Sequence, residues 1–213
     1  MTETVTPLSE TVSQIVRSRT CGCRDFYIAK ITQNDATGYV AGTPVKLARA
    51  INAKISDKWS SEKVYSDDGT EETITSYEGT EVEIEIATLA PQDRALIFGQ
   101  LYENGFLVKS KDDLAPELAL GYRTKRRNGK YEFVWLYCGK FGQGVDDEHE
   151  TQAEKVTGKS NTIKGDFYDR QKDGLYQIVV DESNLLDEHA DAKAAITDWF
   201  SKVQEKEQAA VAG

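Results

Sequence analysis

The sequence predicts a mainly β fold, a β-sandwich or partial barrel that carries one internal helix and one C-terminal helix. Three observations lead to this prediction. Residues 81–86 alternate strictly between glutamate and aliphatic side chains, which is the pattern of a half-buried strand. Residues 118–137 alternate on both sides of an Asn-Gly pair, which is a strong signal for a β-hairpin. No strand–helix–strand rhythm recurs along the chain, so a parallel α/β sheet is not expected.

The first half of the chain is predicted to contain an arm, two strand regions and a long excursion. Residues 1–20 lack core-forming periodicity and are interpreted as an N-terminal arm. Residues 26–31 form a short strand, and residues 45–55 contain a second strand region with alternating apolar side chains. Residues 56–80 form a polar, hairpin-like excursion that is too long for a routine connection, which favours a functional role.

Two helices are predicted. Pro91 starts the first helix at a position that tolerates a missing N–H, and Gly105 is expected to end it. The second helix is predicted over residues 188–204, where Trp199 and Val203 belong to an apolar set at helical spacing.

The hairpin at residues 118–137 and the segments after it complete the predicted domain. Its return strand is apolar on both faces, which indicates a central position in the sheet. Residues 163–168 and 174–180 are predicted to form a last pair of strands. Because the chain shows neither an internal repeat nor a clear linker, residues 21–205 are predicted to be one domain, with residues 206–213 as a frayed tail.

Composition restricts the classes of function. Acidic residues outnumber basic ones 36 to 26, for a net charge of −10. This balance argues against tight binding to DNA or to an anionic membrane, because both require clustered basic residues. A hydrophobic content of 39% is lean and favours a subunit that buries further surface by assembling. No segment approaches the roughly 20 apolar residues of a membrane-spanning helix, and residues 1–10 show no basic region of a signal peptide. We therefore expect a cytoplasmic product without a membrane anchor.

Catalytic and metal-binding patterns are sparse. His149 and His189 are the only histidines, and neither lies near a nucleophile motif, so both are interpreted as solvated surface residues. Cys21 and Cys23 are separated by one residue, whereas zinc sites usually have two to four, so a zinc site with Cys138 and His149 is a minor alternative. We expect no enzymatic activity, no cofactor and no metal.

Basic residues surround the Asn-Gly turn of the predicted hairpin. They are Arg123, Lys125, Arg126, Arg127 and Lys130. Nucleic-acid binding would require aromatic stacking residues among these bases, whereas the aromatic residues begin only after the turn and alternate as core residues do. Two interpretations stay open: a solvated hairpin tip, and a charged contact with an acidic neighbouring subunit.

Three segments in a particular order carry a resemblance to a known family. They are "YSDDGTEE" at residues 65–72, the run from "LIFGQLYENGF" to "VWLYCGKF" at residues 96–141, and "ETQAEKVTGKSNTIKGDFYDR" at residues 150–170. Together they resemble the major tail tube proteins of siphophages that infect Gram-positive bacteria. The resemblance covers residues 45–181, leaves out both termini and contains no catalytic signature.

The resemblance implies both an architecture and partners. It implies a compact β-sandwich flanked by a helix, six copies of which form a ring whose inner sheets join into one β-barrel around a channel. Stacked rings would form a tail tube in the virion, assembled in the host cytoplasm, through which the genome passes into the host. The implied partners are further copies of the chain and the tail tip, tape-measure and tail terminator proteins, with DNA only as passing cargo.

Two groups of residues are candidates for roles in such a tube. The candidate channel-lining acids are Glu81, Glu83, Glu85, Glu148, Glu150 and Glu154. The candidate ring-stacking loop contains Trp59, Val64, Tyr65, Asp67, Asp68 and Gly69. Carboxylates on a channel wall repel phosphates over about a Debye length, roughly 8 Å at physiological salt, so that DNA would slide without binding. The alternative interpretation of the acids is an ordinary solvated face.

A function of another class is the main alternative. Trp59, Tyr65 and Tyr77 lie in or beside the polar excursion and could form an aromatic platform for a carbohydrate or another ligand. The chain would then be a ligand-binding β-sandwich module rather than an assembling subunit.

Overall fold

The computed structural model describes residues 15–66, 69–142 and 160–206, with the backbone alone for residues 64–66 and 69–72. Antiparallel strands make up most of its regular structure, which confirms the predicted mainly β fold. The strands are β1 (Thr20–Asp35), β2 (Gly38–Ala41), β3 (Val45–Lys46), β4 (Ala50–Ser66), β5 (Gly69–Ile86), β6 (Leu101–Glu103), β7 (Phe106–Val108), β8 (Leu118–Arg126), β9 (Tyr131–Phe141), β10 (Asn161–Tyr168) and β11 (Gln177–Asp181). The helices are α1 (Pro91–Phe98) and α2 (Ala190–Thr197), with a short 3-10 helix at Glu182–Asn184.

One antiparallel sheet contains all of these strands except β6 and β7, in the order β2-β1-β8-β9-β10-β5-β4. In addition, β3 pairs with β1 and β11 pairs with β9. The end strands β2 and β4 are not hydrogen-bonded to each other, so the described sheet does not close into a barrel. Strands β6 and β7 form a separate two-stranded sheet.

Strand β9 occupies the centre of the sheet because it is apolar on both faces. Its side chains at residues 133–138 are all buried, and they divide between two hydrophobic clusters. The inner cluster lies between the two halves of the curved sheet and contains residues such as Ile28, Ile84 and Leu136. The outer cluster lies beneath the C-terminal segment and contains Trp135 and Trp199. A strand covered on both sides cannot lie at an exposed edge without losing this burial.

The C-terminal segment covers the outer face over β1, β8 and β9. The indole Nε1 of Trp135 donates a hydrogen bond of 3.1 Å to the carbonyl oxygen of Trp199. The ring of Phe200 stacks on that of Tyr27 with centroids 4.4 Å apart. The predicted helix over residues 188–204 is therefore too long, because α2 ends at Thr197 and the following residues turn to place their aromatic side chains on the sheet.

The first helix is also shorter than predicted. It ends at Phe98, where Gly99 adopts a left-handed conformation with φ of 70° and donates its N–H to the carbonyl of Ala95. The predicted terminator, Gly105, instead lies with Asn104 in the turn between β6 and β7, and both have positive φ, which suits a tight hairpin turn.

The prediction that residues 163–168 and 174–180 pair with each other is wrong. Strands β10 and β11 both exist, but each pairs with β9 rather than with the other. β10 pairs with the C-terminal end of β9, and β11 pairs with its N-terminal half. The long β9 can accept two short strands in succession along one edge, which no local pattern indicates.

Arg170, directly after β10, is a buried charge at the end of the outer cluster. Its side chain has no exposed surface. Asp173 accepts hydrogen bonds of 2.7 and 2.6 Å from Nε and Nη2, and Glu205 accepts one of 2.7 Å from Nη1. The guanidinium also lies over the rings of Tyr137 and Tyr39, at 4.1 and 5.0 Å from their centroids. Because Glu205 lies near the end of the described chain, this network fastens the C-terminal segment to the sheet.

Most of the predicted N-terminal arm and C-terminal tail lies outside the described residues. Of the predicted N-terminal arm, residues 1–14 lie outside the described residues, and residues 15–19 precede β1 without regular structure. Of the predicted C-terminal tail, residues 207–213 also lie outside the described residues.

Close packing of β8 against β9 gives a first prediction. A Cβ atom at Gly121 would lie 2.7 Å from the ring of Trp135, so Gly121→Ala forces the indole or the strand to shift. We expect a loss of about 1–3 kcal/mol in the free energy of unfolding, measured by urea denaturation. Gly22→Ala in β1 is the matched control, because no atom lies within 4 Å of the added Cβ. Equal stability of the two variants would contradict this packing.

Candidate functional site

Strand β5 presents the predicted acidic column. Glu81, Glu83 and Glu85 lie on the solvent side, whereas the three aliphatic residues between them are buried in the inner cluster. This confirms the alternation that the sequence indicates. The acids therefore lie on the outer face of the half-sheet formed by β10, β5 and β4, next to the half that the C-terminal segment covers.

Lysines of the neighbouring strands lie among these glutamates. The register places Glu83 between Lys54 of β4 and Lys164 of β10, and Lys164 Nζ lies 3.6 Å from Glu83 Oε1. Lys58 forms an ion pair with Glu81. The side chains of the two ion pairs are about half exposed or more, so each pair contributes little to the stability of the fold. The pattern along β5 alone does not show this compensation, since the lysines come from other strands.

The charge on this face is therefore mixed. The described part of it carries four carboxylates, with Asp166 of β10 as the fourth, and the three lysines named above. It repels phosphates less strongly than an uninterrupted column of glutamates would. The other candidate channel-lining acids, Glu148, Glu150 and Glu154, lie outside the described residues.

The excursion at residues 56–80 belongs to a continuous antiparallel hairpin. Strands β4 and β5 pair from Ala50–Ile86 at the base to Ser66–Gly69 near the tip. β10 pairs with β5 only as far as Thr80, so in the described structure the residues beyond it pair only within the hairpin. Because Thr80 pairs with Asp57, residues 58–66 and their partners extend about 30 Å beyond this point, at about 3.3 Å per residue. Of the stacking candidates, Asp67 and Asp68 lie outside the described residues.

Aromatic contacts anchor the hairpin where it leaves the sheet. The ring of Tyr77 stacks on that of Tyr176, just before β11, with centroids 4.1 Å apart. Trp59 meets Tyr77 edge-on at 5.5 Å and is 54% exposed. The Tyr77 hydroxyl shares a hydrogen bond of 2.7 Å with Thr80. Two residues of the proposed aromatic platform thus lie together, but one face of Tyr77 is used within the chain.

The basic hairpin between β8 and β9 is partly neutralised by its own chain. Three of its residues form ion pairs: Arg123 with Asp25, Arg126 with Glu132 and Asp181, and Lys130 with Glu182. Lys125 and Arg127 have no carboxylate partner within the described ranges. The hairpin also adjoins the start of β1, where Arg127 donates its backbone N–H to the carbonyl of Arg19 at 2.8 Å.

A cleft beside this hairpin extends the basic surface. It has a volume of about 570 Å³ and lies between the N-terminal part of β1 and the segment that joins β3 to β4. Its wall carries four cationic side chains and one carboxylate: Arg24, Lys46, Arg49, Arg123 and Asp25. The sequence indicated only Arg123 among these, because the five come from three separate segments of the chain. We call these five residues the basic cleft.

Asp25 organises two of the cations in the basic cleft. Its φ of 55° is left-handed, and the register between β1 and β8 shifts at this point. Lys46 Nζ donates to one carboxylate oxygen at 2.6 Å, and Arg123 Nε donates to the other at 2.7 Å. Burial raises the pKa of Asp25, but the hydrogen bonds from Lys46 and Arg123 outweigh it and hold the pKa below its usual value. Asp25 is therefore ionised at neutral pH.

The three cysteines and His189 are distributed over the fold, and His149 lies outside the described residues. Cys21 is exposed near the N-terminal end of β1, and Cys138 is buried near the C-terminal end of β9. Burial raises the pKa of both Cys23 and Cys138 to about 12, so neither thiol is ionised at neutral pH. His189 precedes α2 and accepts a hydrogen bond of 3.2 Å from the N–H of Leu186. In the part of the chain that the structure describes, no three His, Cys, Asp or Glu residues are grouped to hold a metal.

The anchoring of the hairpin gives a second prediction. Tyr77→Ala removes the stacking on Tyr176 and the edge contact with Trp59, each worth about 0.5–1.5 kcal/mol. We expect amide hydrogen exchange at residues 56–63 and 73–80 to become about 3- to 10-fold faster, as measured by mass spectrometry. Ile74→Ala is the control, since Ile74 is 50% exposed on the projecting part. An unchanged exchange rate in the Tyr77 variant would show that other contacts hold the hairpin.

Comparison of the chain with protein-family models and with curated proteins finds no match. In the described ranges, no helix is long and apolar enough to cross a membrane. Four features of the described structure bear on function: an open antiparallel sheet, a projecting hairpin, a mixed-charge face and a basic cleft.

Proposed function

We propose that this protein is a structural subunit that assembles with copies of itself into stacked rings and so forms the tail tube of a bacteriophage. The observation that carries the proposal is the open sheet. Strand β4 is 17 residues long, and along its outer edge it pairs with no other described strand. Unpaired N–H and C=O groups on such an edge are a template for pairing with another chain. The second end strand, β2, supplies a further free edge.

The resemblance of residues 45–181 to major tail tube proteins supports the form of the assembly. Six copies would join their sheets edge to edge around a channel, and the rings would stack into a tube within the virion tail. The partners are then further copies of the chain and the tail tip, tape-measure and tail terminator proteins. The protein has no catalytic role in this proposal, and DNA is only a passing cargo.

The projecting hairpin supports contact between successive rings. Its distal part pairs only with itself in the described structure, so it buries little apolar surface in one isolated copy. A second copy that covers it would provide the missing contacts. This assigns the stacking role to Trp59, Val64, Tyr65, Asp67, Asp68 and Gly69, as the sequence predicts.

The mixed-charge face of β10, β5 and β4 is the candidate channel wall. Glu81 and Glu83 form ion pairs with lysines, and the four carboxylates and three lysines of the described face leave its charge nearly balanced. A nearly balanced wall neither binds nor strongly repels DNA, which suits the passage of a duplex. The net charge of −10 must then lie mainly on other surfaces.

A ligand-binding module is the second candidate. The exposed ring of Trp59 beside Tyr77 is the observation that favours it. Stacking of Tyr77 on Tyr176 argues against a broad platform, because it occupies a ring face that a sugar would need. Binding of soluble glycans that quenches tryptophan fluorescence and is lost in Trp59→Ala would favour this candidate.

Self-association through the sheet edge is the third prediction. Purified protein at high concentration, alone or with its tail tip and tape-measure proteins, should form rings or tubes of regular width in negative-stain electron microscopy. Ile51→Lys places a charge on the exposed edge strand β4 and should reduce the assembled fraction about tenfold. Leu114→Lys, at a residue that is 84% exposed away from this edge, is the control. Failure of the wild type to assemble with its tail proteins would contradict the proposal.

Reversal of the acidic column is the fourth prediction. Replacing Glu81, Glu83 and Glu85 by lysine removes two exposed ion pairs and should leave the fold intact. The face would then carry at least six lysines, so DNA should be retained in the channel and genome ejection should slow, with recovery at high salt.

The control for this reversal is a variant with the same charge change elsewhere on the surface. Glu103, Asp112 and Glu188 are all exposed and lie outside the mixed-charge face. Particles with these three residues changed to lysine should eject at the wild-type rate. If both variants eject normally, β5 lies outside the channel, and residues 148–154 become the candidates for its wall.

A further inference from the structure

The basic cleft has an excess of positive charge that its own chain does not neutralise. Asp25 binds Lys46 and Arg123, which leaves one carboxylate against four cations. Arg24 and Arg49 have no carboxylate partner among the described residues. The ring of Tyr131 lies 5.8 Å from the guanidinium of Arg24 and 4.5 Å from that of Arg123. In a chain with a net charge of −10, such a concentration of uncompensated cations calls for an acidic partner.

The left-handed backbone at Asp25 supports a built site. A non-glycine residue with φ of 55° costs some free energy, and here it places the carboxylate between Lys46 and Arg123. This arrangement holds two cations in fixed positions on one wall of the cleft. Arg24 and Arg49 line the same cleft with exposed side chains that have no carboxylate partner among the described residues, so they can meet an incoming carboxylate.

The most suitable acidic partner in the same sequence is the tip of the β4–β5 hairpin. Its seven residues, Ser66 to Glu72, carry four acids and no base: Asp67, Asp68, Glu71 and Glu72. The described strands that lead to it, up to Ser66 and from Gly69, extend beyond the sheet. Its four acids make it complementary in charge to the basic cleft.

The tip cannot reach the basic cleft of its own chain. Arg49 directly precedes β4, and the tip follows the other end of the same strand, which has 17 residues. At about 3.3 Å per residue, the extended strand separates the two by about 50 Å. A contact between tip and cleft must therefore join two copies. Because it uses two different surfaces, the contact is head-to-tail and can repeat from copy to copy, as a stack requires.

We propose that the acidic hairpin tip of one copy docks in the basic cleft of the next copy. This proposal rests on the proposed function, for which it names the surface that receives the stacking hairpin. Arg24 and Arg49 bind the tip carboxylates directly, and Asp25 positions Lys46 and Arg123 behind them. The charged residues provide the register and direction of stacking, and β-strand pairing within a ring is independent of them.

Charge reversal with rescue tests the proposal in the full-length chain. The cleft variant is Arg24→Glu with Arg49→Glu, the tip variant is Asp67→Lys with Asp68→Lys, and a fourfold variant combines them. Sedimentation velocity over a concentration series measures self-association. Each double variant should associate about tenfold or more weakly than wild type, and the fourfold variant should recover because its charges are complementary again. Lys30→Glu with Lys111→Glu, at exposed sites outside the cleft, should behave as wild type.

Each other outcome overturns the proposal in a distinguishable way. If wild type and both double variants associate equally, the copies assemble through other surfaces, and the tube function stands without this contact. If only the tip variant is impaired, the tip docks elsewhere. If the cleft variant loses binding of duplex DNA fragments while its self-association is unchanged, the cleft is a phosphate site. If wild type stays monomeric at all concentrations and with its tail proteins, both the contact and the proposed function fail. Far-UV circular dichroism of each variant verifies the fold.

Discussion

The burial of β9 on both faces is the constraint on which the rest of the structure depends. Its inner side chains require the second half of the curved sheet above them, and its outer side chains require the C-terminal segment below. Burial of one large apolar side chain contributes about 1.5–3 kcal/mol, so a strand with six successive buried residues fixes the position of its neighbours. The buried Arg170 and its carboxylate partners then hold the covering segment in place. The rigid centre leaves the two ends of the sheet open.

The molecule has three surfaces that could bind other copies, and each offers a different kind of contact. The long edge of β4 offers backbone groups, the projecting hairpin offers an acidic tip, and the start of β1 offers the basic cleft. Backbone pairing along an edge is strong but has little sequence specificity, whereas charge complementarity suppresses wrong partners and fixes register. A subunit that uses both means can form rings through one surface and stacks through another. This division agrees with the lean hydrophobic content of the chain, since in the proposed assembly other copies would complete part of its burial.

Electrostatics on the candidate channel wall depends on strand order. Along β5 the sequence shows glutamates alone, yet the face that they occupy is shared with strands far away in the chain. Lys164 is brought to Glu83 from 81 residues further along, and Lys54 from the paired strand. The net charge characterises the whole chain, and local composition characterises a single strand. Neither gives the charge of a surface that several strands share. A wall of paired charges also changes little with salt, whereas a purely acidic wall would be strongly screened.

Local sequence predicts the period-two strands, the Asn-Gly hairpin and the central place of β9, because alternation and turn chemistry are properties of a few neighbouring residues. It also indicated a long polar hairpin and a helix start at Pro91. Contacts with distant segments fix the end of α1 at Gly99, the turn after Thr197 and the pairing of β10 and β11 with β9, so no local pattern predicts these features. The sequence did not predict the basic cleft for the same reason. Its five residues come from three segments, and only strand pairing and the unusual backbone at Asp25 bring their charges together.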